Sequence, residues 1–204
     1  MAKYIKKFTN HTDYETFING SDVVLPVVSH CVQEGDVHYN RIEHPLIITY
    51  SVNSDAVQNG LKLYNYDNGE DVEYNRHGVD EFESIKFNGT ALNISDLDNN
   101  NGRYTPSSTG TFVCEFILKD PSTIVSYMFR NCDYIVSVNI PDGVTSIGVR
   151  AFQTNNSSIL TTVTLPSSVN AIGDYAFCAN SLDQASYNAI KAINTNAVVG
   201  CGAD

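Results

Sequence analysis

The sequence predicts a mostly β protein with a few short helices, arranged as a small β-sandwich followed by a short solenoid of stacked repeats. Three observations support this fold class. Short alternating apolar runs separated by turn residues fill positions 45–119. The stretch NIPDGVTSIGVRAF at 139–152 returns 25 positions later as TLPSSVNAIGDYAF at 164–177. A helical apolar face over 181–194 then follows the repeats.

Residues 1–44 are predicted to form an anchoring module made of a strand, a short helix and a hairpin. KYIKKF has strand character, Thr12 and Glu15 form a capping box, and Gly20 ends the helix after about two turns. The turn residues 34–36 separate two strand-forming runs. Because so short a helix and one hairpin are marginal alone, we expect this module to pair with another copy, which makes the protein a homo-oligomer.

Residues 45–119 are predicted to form a small Ig-like β-sandwich that acts as a spacer. Strand-forming runs such as LIITYSV, GLKLYNY and TFVCEFIL recur with turn residues between them. Asn68-Gly69 and Asn88-Gly89 mark two-residue hairpin turns, because both residue types tolerate positive φ. The region shows no helical period of useful length, so we expect strands joined by tight turns throughout.

Residues 120–204 are predicted to form the solenoid, because apolar and glycine positions recur at one offset while the residues between them vary. The superposed pairs are Ile140 with Leu165, Pro141 with Pro166, Val144 with Val169, Ile147 with Ile172, Gly148 with Gly173, Ala151 with Ala176 and Phe152 with Phe177. A period of this length is typical of leucine-rich repeats, in which each unit buries its apolar side against the next. The glycines are expected to serve a bend that a Cβ would obstruct. The predicted repeat core consists of Ile140, Val144, Ile147, Phe152, Leu165, Val169, Ile172 and Phe177.

Two further patterns extend the repeats. Asn155 and Asn180 follow the two phenylalanines by three residues and are expected to satisfy backbone groups at a corner of the coil. A degenerate first copy occupies STIVSYMFRNCDYI. It places Ile124, Met128, Phe129 and Cys132 at the Ile, Ala, Phe and Asn positions. The prediction is therefore a stack of three turns.

A stack of three turns needs covers at both ends, because each end exposes an apolar face. The run CEFILKDP at the end of the sandwich is expected to cover the first turn. A cap helix over 181–194 is expected to cover the last one, with Ser181 and Gln184 as its capping box.

The composition argues against several classes of function. A formal net charge of −11 and a pI near 4.7 leave no basic surface for nucleic acid. No apolar run of about 18 residues occurs, so no membrane insertion is expected, and the residues after the first lysines lack the apolar segment of an export signal. The five cysteines lack CxxC spacing, which predicts mostly buried, reduced thiols and synthesis in a reducing cytoplasm. They are Cys31, Cys114, Cys132, Cys178 and Cys201.

Two groups of residues suggest metal binding, and each has a simpler interpretation. Asp96, Asp98 and Asn100 have the first spacings of a calcium loop, but Ser107 stands where a bidentate glutamate is needed, which favours a polar loop. His30 and His38 flank the first hairpin and could face one another, but no third ligand follows, which favours surface histidines. We therefore expect no metal and no cofactor.

Catalytic patterns are weak in this chain. Asp80, Glu81 and Glu83 bring carboxylates together, but their acidic neighbours indicate a solvated face instead of an acid–base pair in an apolar pocket. The sequence contains no GxSxG elbow and no P-loop. We therefore expect that the protein is not an enzyme. The glycosylation-type sequons that begin at Asn10, Asn88, Asn93 and Asn156 are interpreted as turn chemistry.

The pattern I-P-x-x-V-x-x-I-G-x-x-A-F at 140–152, echoed at 165–177, resembles the BspA-like leucine-rich repeats of gut anaerobes. In that family the repeats form a curved solenoid used for attachment to proteins or glycans. The resemblance implies that contacts come from the variable positions between the fixed apolar ones, the alternative being that these positions are only solvated. The candidate contact residues are Asp142, Thr145, Arg150, Ser167, Asn170 and Tyr175.

Residues 4–40 and 101–124 resemble modules of virion and surface proteins from gut bacteria and their tailed phages, notably crAss-like phages. This resemblance implies a non-enzymatic head fibre or decoration protein on the capsid surface, made in the host cytoplasm. Its partners would be other virion proteins, itself, and a host-surface protein or glycan. One alternative is a BspA-like adhesin on the bacterial cell surface that binds host protein or glycan. Another is an accessory module of a carbohydrate-active enzyme.

Overall fold

The structure is a computed structural model that describes residues 6–8, 28–34, 37–42, 44–66, 77–78, 80–154 and 159–199. The chain divides into two compact units, Met1–His44 and Pro45–Asp204. Strands predominate and the helices are short, which confirms the mostly β fold class.

The Met1–His44 unit contains a three-stranded antiparallel sheet. Its strands are β1 (Lys6–Phe8), β2 (Val28–Glu34) and β3 (Val37–Ile42). β3 lies between the other two, and Glu34 pairs with Val37 at the end of the predicted hairpin. The helix predicted from Thr12 lies outside the described residues.

The Pro45–Asp204 unit is built around one mixed sheet of six strands. In spatial order they are β13 (Thr162–Thr164), β11 (Ile135–Asn139), β4 (Leu46–Val52), β9 (Gly110–Leu118), β6 (Phe82–Phe87) and β7 (Thr90–Leu92). β11 and β13 pair in parallel, whereas the other neighbours are antiparallel. The side chains of Leu46, Ile48 and Tyr50 are buried and those between them are half-buried, so one face of the sheet covers the core.

The separate Ig-like sandwich predicted for 45–119 is not confirmed. β4 pairs with β9 along one edge and with the repeat strand β11 along the other. Strands of the predicted spacer and strands of the repeats therefore belong to a single sheet. The alternating pattern of the sequence indicates which face of a strand is buried, but it does not indicate which strand lies beside it.

Two short helices and two short strands connect the sheet strands of residues 45–119. They are α1 (Ser54–Asn59), α2 (Ile94–Asp98), β5 (Leu61–Lys62) and β8 (Arg103–Tyr104). Neither helix was predicted, because elements this short show no helical period. The asparagines that cap them could have indicated both helices from the sequence. The side chain of Asn53 accepts from Ala56 N at 2.9 Å, and that of Asn93 accepts from Ser95 N at 3.0 Å.

The predicted Asn88-Gly89 turn is confirmed. It joins β6 to β7 with φ angles of 48° at Asn88 and 79° at Gly89. Both angles are positive, as a tight hairpin turn requires. Asn68-Gly69 lies outside the described residues.

The repeats stack through a second, parallel ladder of three short strands. These are β10 (Thr123–Ile124), β12 (Ser146–Ile147) and β14 (Ala171–Ile172). Ile124 pairs with Ile147, and Ile147 with Ile172, so the degenerate first copy lies in register with the other two. Phe129, Phe152 and Phe177 form a phenylalanine column, in which successive ring centroids are 5.1 Å apart and successive planes differ by 9°.

Both ends of the phenylalanine column are covered. On the first side, Phe116 of β9 packs edge-on against Phe129 with ring centroids 5.3 Å apart. On the last side, the backbone N–H of Phe177 donates to Ala197 O at 2.9 Å. Ala197 belongs to a 3₁₀ helix, Thr195–Val198, which follows α3 (Gln184–Ile193).

The helix α3 corresponds to the cap helix predicted over 181–194, but the predicted capping box is wrong. The N-cap is Asp183, whose carboxylate accepts from Ser186 N at 2.7 Å. Gln184 instead donates from Nε2 to Asn188 Oδ1 at 2.9 Å on the same helix. The helix begins later than predicted because aspartate at position 183 supplies the acceptor that the first turn needs.

Candidate interaction surface of the stacked repeats

The predicted repeat core occupies the interior of the stack. Leu165 is half-buried and packs against the core, and the other predicted core residues are buried. The buried residues are Ile140, Val144, Ile147, Phe152, Val169, Ile172 and Phe177. The variable residues between them are therefore the side chains that the repeats can present.

Gly148 and Gly173 are needed because the backbones of neighbouring repeats pack closely at these positions. The sequence had predicted that they serve a bend of the chain. Neither glycine has a positive φ. A Cβ on Gly148 would collide with the backbone N of Ser126 in the preceding repeat, and one on Gly173 would collide with the backbone N of Val149. Successive repeats thus approach each other most closely at these positions.

The structure divides the six predicted contact residues between two turns of the repeat. Four precede the strands of the parallel ladder, where Asp142, Ser167 and Asn170 are exposed and Thr145 is half-buried. The Thr145 Oγ1 hydroxyl donates to Ser122 O at 3.2 Å, so this side chain also ties two repeats together. The remaining two, Arg150 and Tyr175, follow the strands and form part of a different surface, described next.

We define the Tyr–Arg ladder as Tyr127, Arg130, Arg150 and Tyr175, all half-buried. Tyr127, Arg150 and Tyr175 occupy the same position in successive repeats. The guanidinium of Arg150 lies over the Tyr175 ring at 5.5 Å from its centroid, and that of Arg130 lies over the Tyr127 ring at 5.6 Å. Both distances are in the range of cation–π contacts, so the repeat turns carry two arginine–tyrosine pairs.

Backbone hydrogen bonds fix the register of the ladder. Tyr127 N donates to Val149 O at 3.0 Å, and Arg150 N donates to Asp174 O at 3.1 Å. Tyr175 N donates to Asn196 O at 3.0 Å, which extends the same pattern into the 3₁₀ helix. The row is thus built into the contact between repeats.

The ladder positions have an unfavourable backbone conformation for their residue types. The φ angles are 64° at Tyr127, 55° at Arg150 and 59° at Tyr175. A residue other than glycine or asparagine loses about 1 kcal/mol in this region. The other non-glycine residues with positive φ in the described part of the chain are three asparagines and one alanine, namely Asn88, Asn101, Asn131 and Ala179. Large side chains occupy this conformation only in the ladder, within the described residues.

Tyr127 and Arg130 were not among the predicted contact residues. The first repeat is offset from the second by 23 residues instead of 25, as the pairing of Thr123 with Ser146 and of Ser146 with Ala171 shows. It also has Val125 at the glycine position. The alignment of Ile124 with Ile147 in the predicted first copy already places Tyr127 at the position of Arg150, but the candidate contact residues were taken only from the two well-preserved copies.

Polar side chains close the corners and the edge of the stack. Asn180 Nδ2 donates to Phe152 O at 2.9 Å, which is the corner role expected of it, whereas Asn155 lies outside the described residues. The buried Ser186 of α3 accepts from Val163 N at 2.9 Å. At the edge strand β13, this hydroxyl supplies the hydrogen-bond acceptor that a further strand would otherwise supply.

The cysteines differ from one another. Cys114 and Cys132 are buried free thiols, as expected. Burial raises the pKa of both, to about 12 for Cys132. Cys178 is disulfide-bonded. The expectation of a reduced thiol is therefore wrong for this residue. The spacing of the cysteines could not reveal this bond, because pairing depends on the fold.

The calcium interpretation of Asp96, Asp98 and Asn100 fails on geometry. Residues 94–98 form α2 instead of a loop. The buried Asp98 accepts the hydroxyl of Tyr64 at 2.5 Å, and burial together with this contact raises the pKa of the Tyr64 phenol. Asn100 Nδ2 donates to Arg103 O at 3.0 Å. Asp98 and Asn100 thus have partners within the fold, and Asp96 is exposed.

The other predicted polar candidates do not converge on a site. His30 is opposite Arg41 and His38 is opposite Gln33, so the two histidines are not opposite each other in the hairpin. Asp80 and Glu83 are exposed, and Glu81 Oε1 lies 3.6 Å from His77 Nδ1. Over the described residues, no group of three or more His, Cys, Asp or Glu side chains could hold a metal ion.

Two of the predicted sequons have turn or cap roles. Asn88 lies in the hairpin turn and Asn93 caps α2. Asn10 and Asn156 lie outside the described residues.

Comparison with known proteins shows what the repeats are similar to. Residues 111–203 match the family model of the BspA type leucine rich repeat region (6 copies). The stacked repeats are therefore similar to repeats of the BspA type. The match begins within β9, earlier than the predicted start at 120. No curated protein and no solved structure matches the chain, and the resemblance to crAss-like phage proteins receives no support.

The helices of the described residues are all short. The longest of them, α3, has 10 residues, against about 20 for a helix that crosses a bilayer. None of the described helices is long and apolar enough to span a membrane.

Proposed function

We propose that this chain is a non-catalytic attachment protein, in which the BspA-type repeats form a short solenoid and present turn side chains to a macromolecular partner. The observation that carries the proposal is the Tyr–Arg ladder, which holds large side chains at positions where their backbone is strained. Strain of this kind is retained where a side chain has a use.

The interior of the repeats supports attachment and not turnover. The phenylalanine column and the buried isoleucines fill the centre of the stack. The Cys132 thiol and the Tyr64 phenol, whose pKa values burial raises, lie within the core. What the repeats offer a partner is an outer surface.

The favoured setting is the bacterial cell surface, where the chain acts as an adhesin. The repeats match the BspA type, and Cys178 is disulfide-bonded. Disulfides persist in oxidising compartments outside the cytosol. Intact mass of the native protein, measured before and after reduction, tests the bond. A fully reduced protein from its native location would argue against this setting.

A second setting is the virion, where the chain would be a head fibre or decoration protein. It rests on the sequence resemblance of residues 4–40 and 101–124 to phage modules, to which the comparisons with known proteins add nothing. In this setting the three-stranded sheet of Met1–His44 is the anchor to the capsid and the site of self-association.

Immunogold electron microscopy separates these settings. Antibodies against the chain are applied to intact cells of the encoding bacterium and to purified phage particles. Label on the cell exterior supports the adhesin, and label on capsids supports the virion protein. Label confined to the cytosol contradicts attachment in both settings.

A competition assay tests attachment directly. Excess purified chain should reduce adherence of the labelled cells or particles to their target surface. The Phe152→Ala variant is the control, because it removes one ring of the phenylalanine column and should disrupt the stacked repeats. No competition by the wild-type chain would contradict the proposal.

A further inference from the structure

The Tyr–Arg ladder concentrates the positive charge of the repeats. Residues 120–204 contain two arginines, Arg130 and Arg150, and one lysine, Lys191, in a chain whose formal net charge is −11. Both arginines lie against ladder tyrosines. The ladder is therefore a local cationic row on an acidic protein, and its chemistry favours an anionic partner.

The stacking of the arginines determines which anion fits. A guanidinium stacked on an aromatic ring is held in one orientation, and its planar donors match a carboxylate. Tyrosine and arginine are also the residues that most often dominate the energy of protein interfaces. The exposed apolar side chain of Val149 lies next to Arg150 in the same turn. Together these features suit carboxylates carried by a partly apolar chain.

A sugar partner fits this row less well than a protein partner. Sugars commonly pack on the open faces of aromatic rings, but one face of Tyr127 and one face of Tyr175 lie under a guanidinium. Asp174, exposed beside Tyr175, contributes its carbonyl to the backbone of the ladder and its carboxylate to Asn194 Nδ2 at 2.9 Å. The ladder thus combines cations, apolar contact and covered rings.

We propose that the Tyr–Arg ladder binds an acidic, extended segment of a partner protein, with Arg130 and Arg150 pairing with its carboxylates. This inference rests on the proposed attachment function and names the partner chemistry for it. The backbone register places Tyr127, Arg150 and Tyr175 in a row across the repeats, and Arg130 lies over Tyr127. Side chains at alternate positions of an extended segment also form a row.

Fluorescence anisotropy of the full chain with labelled peptides tests the proposal. The probes are a peptide of alternating glutamate and threonine, a matched peptide with glutamine in place of glutamate, and polygalacturonate as a carboxylated polysaccharide. The glutamate peptide should bind, the glutamine peptide should bind about tenfold more weakly or not at all, and high salt should weaken binding.

The double variant Arg130→Gln with Arg150→Asn should weaken binding of the glutamate peptide by about tenfold or more. Asparagine tolerates positive φ, so this change at position 150 should leave the folded state intact, which thermal unfolding checks. Lys191→Gln is the matched control, because Lys191 forms a cation–π contact with Tyr187 at 5.4 Å on α3, outside the ladder. It should bind the peptide as the wild type does.

Three results would overturn the proposal. They are equal binding by the double variant and the wild type, failure of the wild type to bind the glutamate peptide, and ladder-dependent binding of polygalacturonate alone, which would indicate a glycan partner.

The competition assay distinguishes failure of this inference about the ladder from failure of the proposed attachment function. If attachment is correct but the ladder is not its site, the double variant competes as well as the wild type; if attachment is wrong, neither competes.

Discussion

The sheet half (residues 45–119) and the repeat half (residues 120–199) of the Pro45–Asp204 unit pack their aromatic rings differently. In the sheet half, Phe82 meets Tyr64 at an interplanar angle of 54° and Phe116 at 45°. In the repeat half, the planes of the phenylalanine column differ by 9°. Rings that converge from unrelated strands meet at independent angles, whereas rings related by a repeated backbone shift stay parallel. In the repeat half, the same ring packing therefore recurs in each repeat, whereas each ring of the sheet half packs in its own way.

The boundary between the two kinds of packing lies at Phe129. This ring stacks on Phe152 at 9° on one side, and on the other it meets Phe116 at 76° and Phe82 at 50°. Both halves belong to one cluster of buried apolar residues. The sheet half thus acts as the cover of the first repeat, and substitutions on the two sides of this contact test whether the repeats depend on their stacking.

The largest expected effect comes from the middle of the column. Phe152→Ala should lower the free energy of unfolding by about 4 kcal/mol, because the cavity removes contact with a ring on each side. Phe112→Ala is the control in the sheet half, where the ring is half-buried and lies 5.4 Å from Phe87. Urea unfolding of both variants measures the difference. Equal losses in the free energy of unfolding would mean that stacking in the column adds no stability beyond that of the control ring.

The second largest effect is expected at a glycine that is crowded by the neighbouring repeat, compared with a glycine that is needed only for its backbone conformation. Gly148→Ala should cost about 3 kcal/mol, because the new Cβ collides with the Ser126 backbone in the preceding repeat. Gly89→Ala in the sheet half should cost about 1 kcal/mol, because its surroundings are open and only its positive φ is unfavourable. Urea unfolding again provides the measurement. A smaller loss at Gly148 than at Gly89 would contradict the close approach of the repeats.

The same comparison explains what the sequence could predict. In the repeat half, one offset relates Ile147 to Ile172 and Phe152 to Phe177, so register can be obtained by subtraction. In the sheet half, alternation identified the strands, but the pairing of β4 with β11 depends on contacts between residues far apart in the chain. This is why the merged sheet was not predicted.

The candidate surface was predicted only in part for a related reason. Arg150 and Tyr175 were identified because they lie in the two well-preserved copies. Tyr127 and Arg130 lie in the degenerate copy, whose offset differs. The positive φ angles and the cation–π contacts of the ladder follow from how the turns pack, and no residue pattern in a single sequence specifies them.

A smaller effect is expected at the open edge of the repeat half. Ser186→Ala should cost about 2 kcal/mol, because the buried backbone N–H of Val163 loses its acceptor. Ser167→Ala, at an exposed turn position, is the control and should cost less than about 0.5 kcal/mol. Urea unfolding measures both, and sedimentation tests whether the uncovered edge associates. Identical stability of the two variants would show that water replaces the hydroxyl at no cost.

The smallest effect distinguishes the two halves by pH. Asp183 in the repeat half has its pKa lowered from 3.8 by the hydrogen bonds from Ser186, and Asp55 in the sheet half has its pKa lowered by the bonds from Tyr134 and Asn59. A carboxyl whose pKa is lower in the folded state stabilises the fold above its unfolded pKa of about 4 and loses that contribution as the pH falls through the folded pKa.

Asp183→Asn keeps an N-cap acceptor but removes the titrating group. We therefore expect this variant to unfold in urea nearly as the wild type does at low pH and to be less stable near neutral pH, so that its stability changes less between the two. Asp142→Asn makes the same charge change at an exposed turn and is the control. If Asp183→Asn retained the full loss of stability on acidification, the carboxylate of the N-cap would have no part in it.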